Sequence, residues 1–332
     1  MKVSSTVNTV LGPISAEKLG KTLIHEHFVF GYAGFQGDTT LGEFDREAAL
    51  QVGINVAERL KAYGVNTVVD ATTNECGRNP ELLQEISVKT GLQIICSSGY
   101  YYEGESAPAY FKFRASLGDM SAEVYEMYTR EITQGIWKTG IKAGVIKLAS
   151  SKDVITEYEK VFFKAAARVQ RETGVTIITH TQEGTMGAEQ ANLLISEGAD
   201  PSRIVIGHMC GNTNLVDQVQ VLKTGVFVGF DRFGLEGIVG APLDTVREAM
   251  LMGLIGAGYG KQLLLSQDTV NYWLGRPLVL PEVVQQMLVR WHPTNIFENV
   301  IPVLKNAGIT DEQIDTLMIK NPGRLFGVNM VT

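Results

Sequence analysis

Thr22-Leu23-Ile24-His25-Glu26-His27 is a short apolar run that ends in two histidines. Seven further runs rich in Val, Ile, Leu and Thr follow, so that the series covers residues 22–26, 67–70, 93–98, 144–148, 176–180, 204–208, 226–229 and 262–266. Each is apolar almost throughout rather than alternating, the pattern of strands buried on both faces in a parallel sheet. Between them, residues 47–63, 121–138 and 156–173 carry helical periodicity, closed by or near Gly64, Gly140 and Gly174. Eight strand–helix alternations predict an α/β fold, a closed (β/α)8 or TIM barrel, as one domain over residues 1–332. The competing architecture is an open doubly wound sheet, which needs a glycine-rich phosphate turn after its first strand. His25-Glu26-His27 stands in that place and cannot make the turn. The loops after the first, seventh and eighth runs are the longest. Residues 271–293, with Trp273, Pro277, Pro281 and Trp291, read as a loop covering a pocket.

Composition narrows the class. The chain has 332 residues, 45% hydrophobic and 20% charged, enough to bury a large core. The net charge of −7 comes with no basic stripe for nucleic acid and no Lys/Arg cluster for an anionic membrane. No run approaches the roughly 20 apolar residues of a membrane span. Cys76, Cys96 and Cys210 are odd in number and widely spaced, which favours a reducing compartment. The N-terminus lacks the apolar core of a signal peptide, so a cytoplasmic location is expected.

Four of the five histidines end apolar runs: His25, His27, His180 and His208. Lys147 and Asp268 end two others. The carboxyl ends of barrel strands share one rim, and His25 and His27, two residues apart, point to the same side. Imidazole suits Zn, Mn, Co or Fe, so these six residues predict a metal site. A single histidine at a strand end is more often a hydrogen-bonded core residue; four together are not explained that way. A lysine ending a buried strand is costly unless its charge is paired or removed. Two solutions are open: a salt bridge near the barrel mouth, or reaction with CO2 to a carbamate that bridges two metals. His25/His27 and His180/His208 supply a pair for each side of such a bridge. Asp268 can ligate beside His25 and His27, and can accept a proton from a bridging hydroxide whose pKa two metals lower. Asp70 and Asp231 also lie at or just beyond run ends, where aspartates often cap turns. A structural metal protein is the non-enzymatic alternative and would close its coordination sphere.

Together these residues resemble the phosphotriesterase family of the amidohydrolase superfamily. The resemblance runs nearly the length of the chain. It takes in Gly12-Pro13-Ile14-Ser15, the stretch from Leu19 to His27, Gly77-Arg78, Ala143-Gly144-Val145-Ile146-Lys147, Thr179-His180-Thr181 and Asn321-Pro322-Gly323-Arg324-Leu325-Phe326. It implies two divalent ions, zinc first and Co, Mn or Fe as alternatives. His25, His27 and Asp268 would bind the more buried ion and His180 and His208 the more exposed one. Lys147, carboxylated on Nζ, would bridge them with a hydroxide. Glu26 is expected to point away from the metals and pack structurally. Lactonase-like members carry tyrosine and arginine after the third and seventh strands, where organophosphate-specialised members carry tryptophan and histidine. Tyr101 and Arg232 match the lactonase type. The resemblance therefore implies a hydrolase opening N-acyl homoserine lactones or other γ- or δ-lactones by attack of the bridging hydroxide. Asp268 would take up the proton, Tyr101 would hydrogen-bond the lactone or the bridging oxygen, and Arg232 would anchor the seventh loop. Weak triesterase activity follows, because tetrahedral phosphorus mimics the lactone's tetrahedral intermediate. The alternatives are a dedicated organophosphate triester hydrolase (an aryldialkylphosphatase), or a hydrolase of another carboxylate ester or a phosphorylated sugar lactone. A homodimer is also implied, with the aromatic 28–35 loop contributing.

The chain departs from the family pattern in places. The family usually follows its sixth-strand histidine with Asp-Thr-Asp, one aspartate helping to carry the proton away. Here His208-Met209-Cys210-Gly211-Asn212-Thr213-Asn214 is one residue longer, with Asn212 and Asn214 at those positions. Asparagine cannot accept a proton at neutral pH. The eighth run ends Ser266-Gln267-Asp268, where the compared lactonases have His-Asp, and the long loop after it differs too. Cys210 is a candidate soft ligand, although a buried structural thiol is the commoner role.

Overall fold

The computed structural model describes residues 6–238 and 240–327. A hairpin of β1 (Thr6–Thr9) and β2 (Gly12–Ser15) precedes eight parallel strands that neighbour one another in chain order. They are β3 (Lys21–Glu26), β4 (Val65–Asp70), β5 (Gln93–Gly99), β6 (Val145–Ser150), β7 (Thr176–Thr181), β8 (Ile204–Ile206), β9 (Phe227–Phe230) and β10 (Leu263–Leu265). Helices connect most of them, including Arg46–Ala62, Pro80–Thr90, Met120–Thr133, Glu157–Thr173, Gly187–Ser196, Leu215–Lys223 and Asp244–Gly256. The (β/α)8 barrel expected from the apolar runs is the fold.

Local chemistry sets these elements. Thr156 and Glu159 form a reciprocal capping box at the start of Glu157–Thr173, and Gly174 ends it at φ 73°. The helix expected over 121–138 stops at Thr133 because Gly135 takes φ 134°, outside helical space.

The barrel closes where β10 meets β3. His25 N–H donates to Ser266 Oγ at 3.0 Å, Asp268 N–H to the His25 carbonyl at 3.1 Å, and His27 N–H to the Thr269 carbonyl at 2.9 Å. Inside, Ile24, Val69, Ile95, Val145, Ile178, Val205, Phe227 and Leu264, one from each strand, pack with Val7, Leu19, Leu325 and Phe326. A larger cluster fills the space between strands and helices. Burying each such side chain contributes about 1.5–3 kcal/mol before entropy is counted.

Three strand ends differ from the expected ones. β6 runs on past Lys147 to Ser150, because small Ala149 and Ser150 pair with His180 and Thr181 of β7. β8 and β10 stop early, so His208 and Asp268 lie beyond the ladder in left-handed backbone, at φ 60° and 53°. Non-glycine residues held there are strained, and such strain concentrates at functional sites. In β3 the pairing with β4 shifts between Leu23 and Glu26. Simple alternation from inward Ile24 would turn His25 outward; the irregularity re-aims its ring into the barrel mouth.

Candidate active site

The mouth holds a cavity of about 950 Å³. His25, His27, Lys147, His180, His208, Tyr101, Arg232 and Asp268 all line it, so one cavity collects the six candidate ligands together with Tyr101 and Arg232. Donor atoms of His25, His208 and Asp268 lie within 4.8 Å of one another. Lys147 Nζ is 3.1 Å from His25 Nε2 and donates to the Thr179 carbonyl at 3.3 Å. Asp268 Oδ1 is 3.0 Å from His27 Nε2 and 3.5 Å from His25 Nε2, while Oδ2 accepts from Arg232 Nε at 2.9 Å.

Burial sets the charge states. It lowers His25 to about 4, with Lys147 adding to the effect. It also carries His180 and His208 well below the ordinary histidine value, helped by Arg232. The rings of His25, His180 and His208 are neutral at pH 7, each with one lone pair to offer. Burial brings Lys147 down to about 7. Burial alone would raise Asp268, but His208, His25, Arg232 and His27 hold it well below the usual carboxylate range.

Partners at the far side of each ring decide where the lone pair points. Thr72 Oγ1 gives its proton to the Val29 carbonyl and so accepts from His27 Nδ1 at 2.8 Å, turning His27 Nε2 to Asp268. Gln182 Oε1 accepts from His180 Nε2 at 2.7 Å, leaving Nδ1 free. Asp231 Oδ1 accepts from both the His208 amide at 2.8 Å and His208 Nδ1 at 2.9 Å, and its Oδ2 stands 3.4 Å from His25 Nδ1. His27 Nε2 and Asp268 Oδ1 pair across the mouth at 3.0 Å. The ligand atoms of His25, His208 and Asp268, within 4.8 Å of one another in a buried mouth, can close on one cation, so the donor set fits the expected metals.

Asp231 is the residue the sequence left open between turn cap and function. It is fully buried in a niche that side chains would fill: a Cβ on Gly229 would stand 2.4 Å from Asp231 Oδ2, and one on Gly207 3.1 Å. Spanning His25 and His208, it orients one candidate ligand from each half of the site. Asp70 instead accepts from the Phe28 and Thr72 amides and holds the loop after β3. Thr72 and Gln182 carried no sequence signal beyond adjacency. Cys210 does not line the cavity; it is buried, and burial pushes its thiol up to about 11. Asn212 donates to the Gly184 carbonyl and to Asp217, and Asn214 caps the helix Leu215–Lys223. Arg78 is likewise structural, forked onto Glu131 at 2.6 and 2.9 Å.

Glu26 turns away from the cavity. Its carboxylate accepts from Ser266 Oγ, Gln267 N–H, Thr269 N–H and Thr269 Oγ1 at 2.6–2.9 Å, clasping the two strands that close the barrel. Burial raises its pKa to about 7 while those four donors oppose the rise. Replacing Glu26 with glutamine sets an NH2 against donors, and is expected to destabilise the chain by about 2–4 kcal/mol, read as a lowered denaturation midpoint.

Tyr101 packs edge-on against His180, ring centroids 4.8 Å apart, and its amide donates to Glu75 at 2.7 Å. In the same cavity Trp273, Leu278, Leu280, Val284, Leu288 and Trp291 make an apolar wall from the loop after β10.

A parallel barrel with a donor-rich mouth at the C-terminal ends of its strands has the form of an enzyme site. The sequence profile of the phosphotriesterase family matches residues 5–326, and the chain belongs to that family. It is 34% identical over 319 residues to an aryldialkylphosphatase of Saccharolobus solfataricus, covering 94% of this chain and 96% of that one. It superposes on an organophosphorus hydrolase from Deinococcus radiodurans with a TM-score of 0.97 at 55% identity, covering 98% of each chain. A variant of a phosphotriesterase-like lactonase from the same organism superposes with a TM-score of 0.96 at 55% identity, over 97% of this chain and 100% of that one. The chain is thus an ester-hydrolysing enzyme.

Proposed function

We propose that this enzyme opens lactones, with an acyl or alkyl chain of the substrate lying along the apolar wall. The observation that carries the reading is Tyr101 on His180 and Arg232 on Asp268 beneath that wall, the pair that marks lactonase-like members. His25, His27 and Asp268 would hold one divalent ion, His180 and His208 a second, and Lys147, carboxylated on Nζ, both. Two such ions, zinc first, would supply an acidified water and a Lewis acid for the carbonyl. Asp231, Thr72 and Gln182 keep the four lone pairs pointed inward. Arg232 holds Oδ2 of Asp268 and fixes the carboxylate that would take a proton and return it to the leaving alkoxide. Asn212 and Asn214 are spent on a turn, so the proton passes from Asp268 straight to product or solvent. Tyr101 directs its hydroxyl at the lactone oxygen.

A hydrolysis panel of γ- and δ-lactones, N-acyl homoserine lactones, aryl esters and paraoxon tests this with metal-loaded protein. Lactones are expected to give the highest kcat/KM and paraoxon a weak but measurable turnover. Tyr101→Phe is expected to lose about tenfold on lactones, the worth of one hydrogen bond, and little on paraoxon. The second reading, a dedicated triester hydrolase, draws on the aryldialkylphosphatase and organophosphorus hydrolase relatives. It predicts that paraoxon exceeds every lactone.

The same reading carries a cytoplasmic homodimer. Among the described residues no helix is long and apolar enough to cross a membrane, and all three cysteines are free and buried. Phe28 and Phe30 of the loop after β3 are buried, leaving Tyr32, Leu41 and Phe44 as its exposed large apolar residues.

A further inference from the structure

Gln267 stands between the barrel-closing Ser266 and the strained Asp268, and the chemistry above gives it no part. It is fully buried, yet it does not line the cavity. Its Nε2 donates to the Pro293 carbonyl at 2.5 Å, and its Oε1 accepts from Ile296 N–H at 2.9 Å. Its carbonyl accepts from Trp291 Nε1 at 3.2 Å, and its N–H donates to Glu26 at 2.9 Å. Three of these four bonds reach the far end of the loop that leaves the barrel one residue later.

That loop is the apolar wall. Its outgoing arm pairs with the loop after β3, through Phe30 N–H to the Tyr272 carbonyl at 3.0 Å and Leu274 N–H to the Phe30 carbonyl at 2.8 Å. Its middle has only the six-residue helix Glu282–Met287, with no side-chain cap, and Val279 and Val289 are 88% and 73% exposed. The returning arm carries Leu288 and Trp291 into the cavity. It is packed against Gly234, where a Cβ would meet the Arg290 carbonyl at 2.3 Å, and it is hydrogen-bonded to the barrel rim through Gln267.

We propose that Gln267 is a latch: one amide seats the returning arm of the wall on the barrel rim and so sets how far the pocket extends for an apolar substrate chain. It is a positioning residue for substrate reach. Only a side chain with one donor and one acceptor at this length meets Pro293 and Ile296 together. A carboxylate cannot donate to a carbonyl, and asparagine is one methylene short. The kinetic half of this inference rests on the reading that the substrate chain lies along the wall; the structural half does not.

The test uses metal-loaded full-length protein with two variants, the isosteric Gln267→Glu and the apolar Gln267→Met. Hydrogen exchange is read first, without substrate. Amides of residues 288–297 are expected to exchange at least about tenfold faster in both variants, with β6 and β7 unchanged. A γ-lactone series from γ-butyrolactone to γ-dodecanolactone is read next. KM for the longest member is expected to rise about tenfold, with kcat throughout and KM for the shortest within about twofold of wild type. Unchanged exchange at 288–297, or an equal loss of kcat at every chain length, overturns the latch. If Gln267→Glu does not fold, Gln267→Met decides alone. If the wild type opens no lactone, the lactonase reading fails, and the exchange result still decides the latch.

Discussion

Replacing Asp268 with asparagine is expected to cut kcat/KM about a thousandfold on the best substrate, within the range for loss of a positioned proton acceptor. Asparagine keeps the shape and one oxygen, so the change isolates charge and basicity. Asp268 serves three groups at once: His27 at 3.0 Å, His25 at 3.5 Å and Arg232 at 2.9 Å. Without its charge, Arg232 is left as a buried cation with a neutral partner, and breaking a buried pair costs about 3–5 kcal/mol. Stability is therefore expected to fall together with activity. Steady-state kinetics, metal content and a denaturation curve separate the effects. Full metal loading with more than a tenth of wild-type kcat would remove Asp268 from the proton path.

Lys147→Met is expected to lower metal content below two ions per chain and activity by at least about a hundredfold. Methionine fills the same volume without an amine. The protonation state of the amine decides whether it can react. Burial brings Lys147 to about 7, so at neutral pH an appreciable fraction is uncharged and nucleophilic. Its lone pair adds to CO2, forming one N–C bond and releasing one proton, and the product is an anionic oxygen donor. Reactivation of metal-free wild type by zinc should accordingly speed up as dissolved CO2 is raised, and Lys147→Met should show no such dependence. Reactivation indifferent to CO2, or a Lys147→Met protein with two ions, would defeat the carbamate. The same shift has a linkage consequence. Between about 7 and the ordinary 10.5, the folded chain has shed this proton while the unfolded chain holds it. Lys147 thus adds stability to the metal-free chain as pH rises through that window, and its buried charge opposes folding below it.

The barrel was legible because strands buried on both faces leave continuous apolar runs, and eight of them with helices between admit few architectures. The six candidate ligands were legible because His, Lys and Asp at the ends of such runs have no cheap apolar explanation. The arrangement behind them was not. Asp231 read more readily as a turn cap. Only the packing of β9 against β8, with glycine at 207 and 229, shows a carboxylate lodged between His25 and His208. Gln267 read as a departure from a familiar pair, and its contacts lie 26 and 29 residues away along the chain.

What the amino-acid order determined by itself was the periodicity, the residue types at the strand ends and hence the class of chemistry, since these are local properties of each segment. What the tertiary structure alone decided was aim: the pairing shift that turns His25 inward, the left-handed backbone at His208 and Asp268, the partner at the back of each ring, and the anchoring of the wall. Those depend on contacts between segments distant in sequence, where closure of the cylinder chooses among conformations that no single stretch prefers.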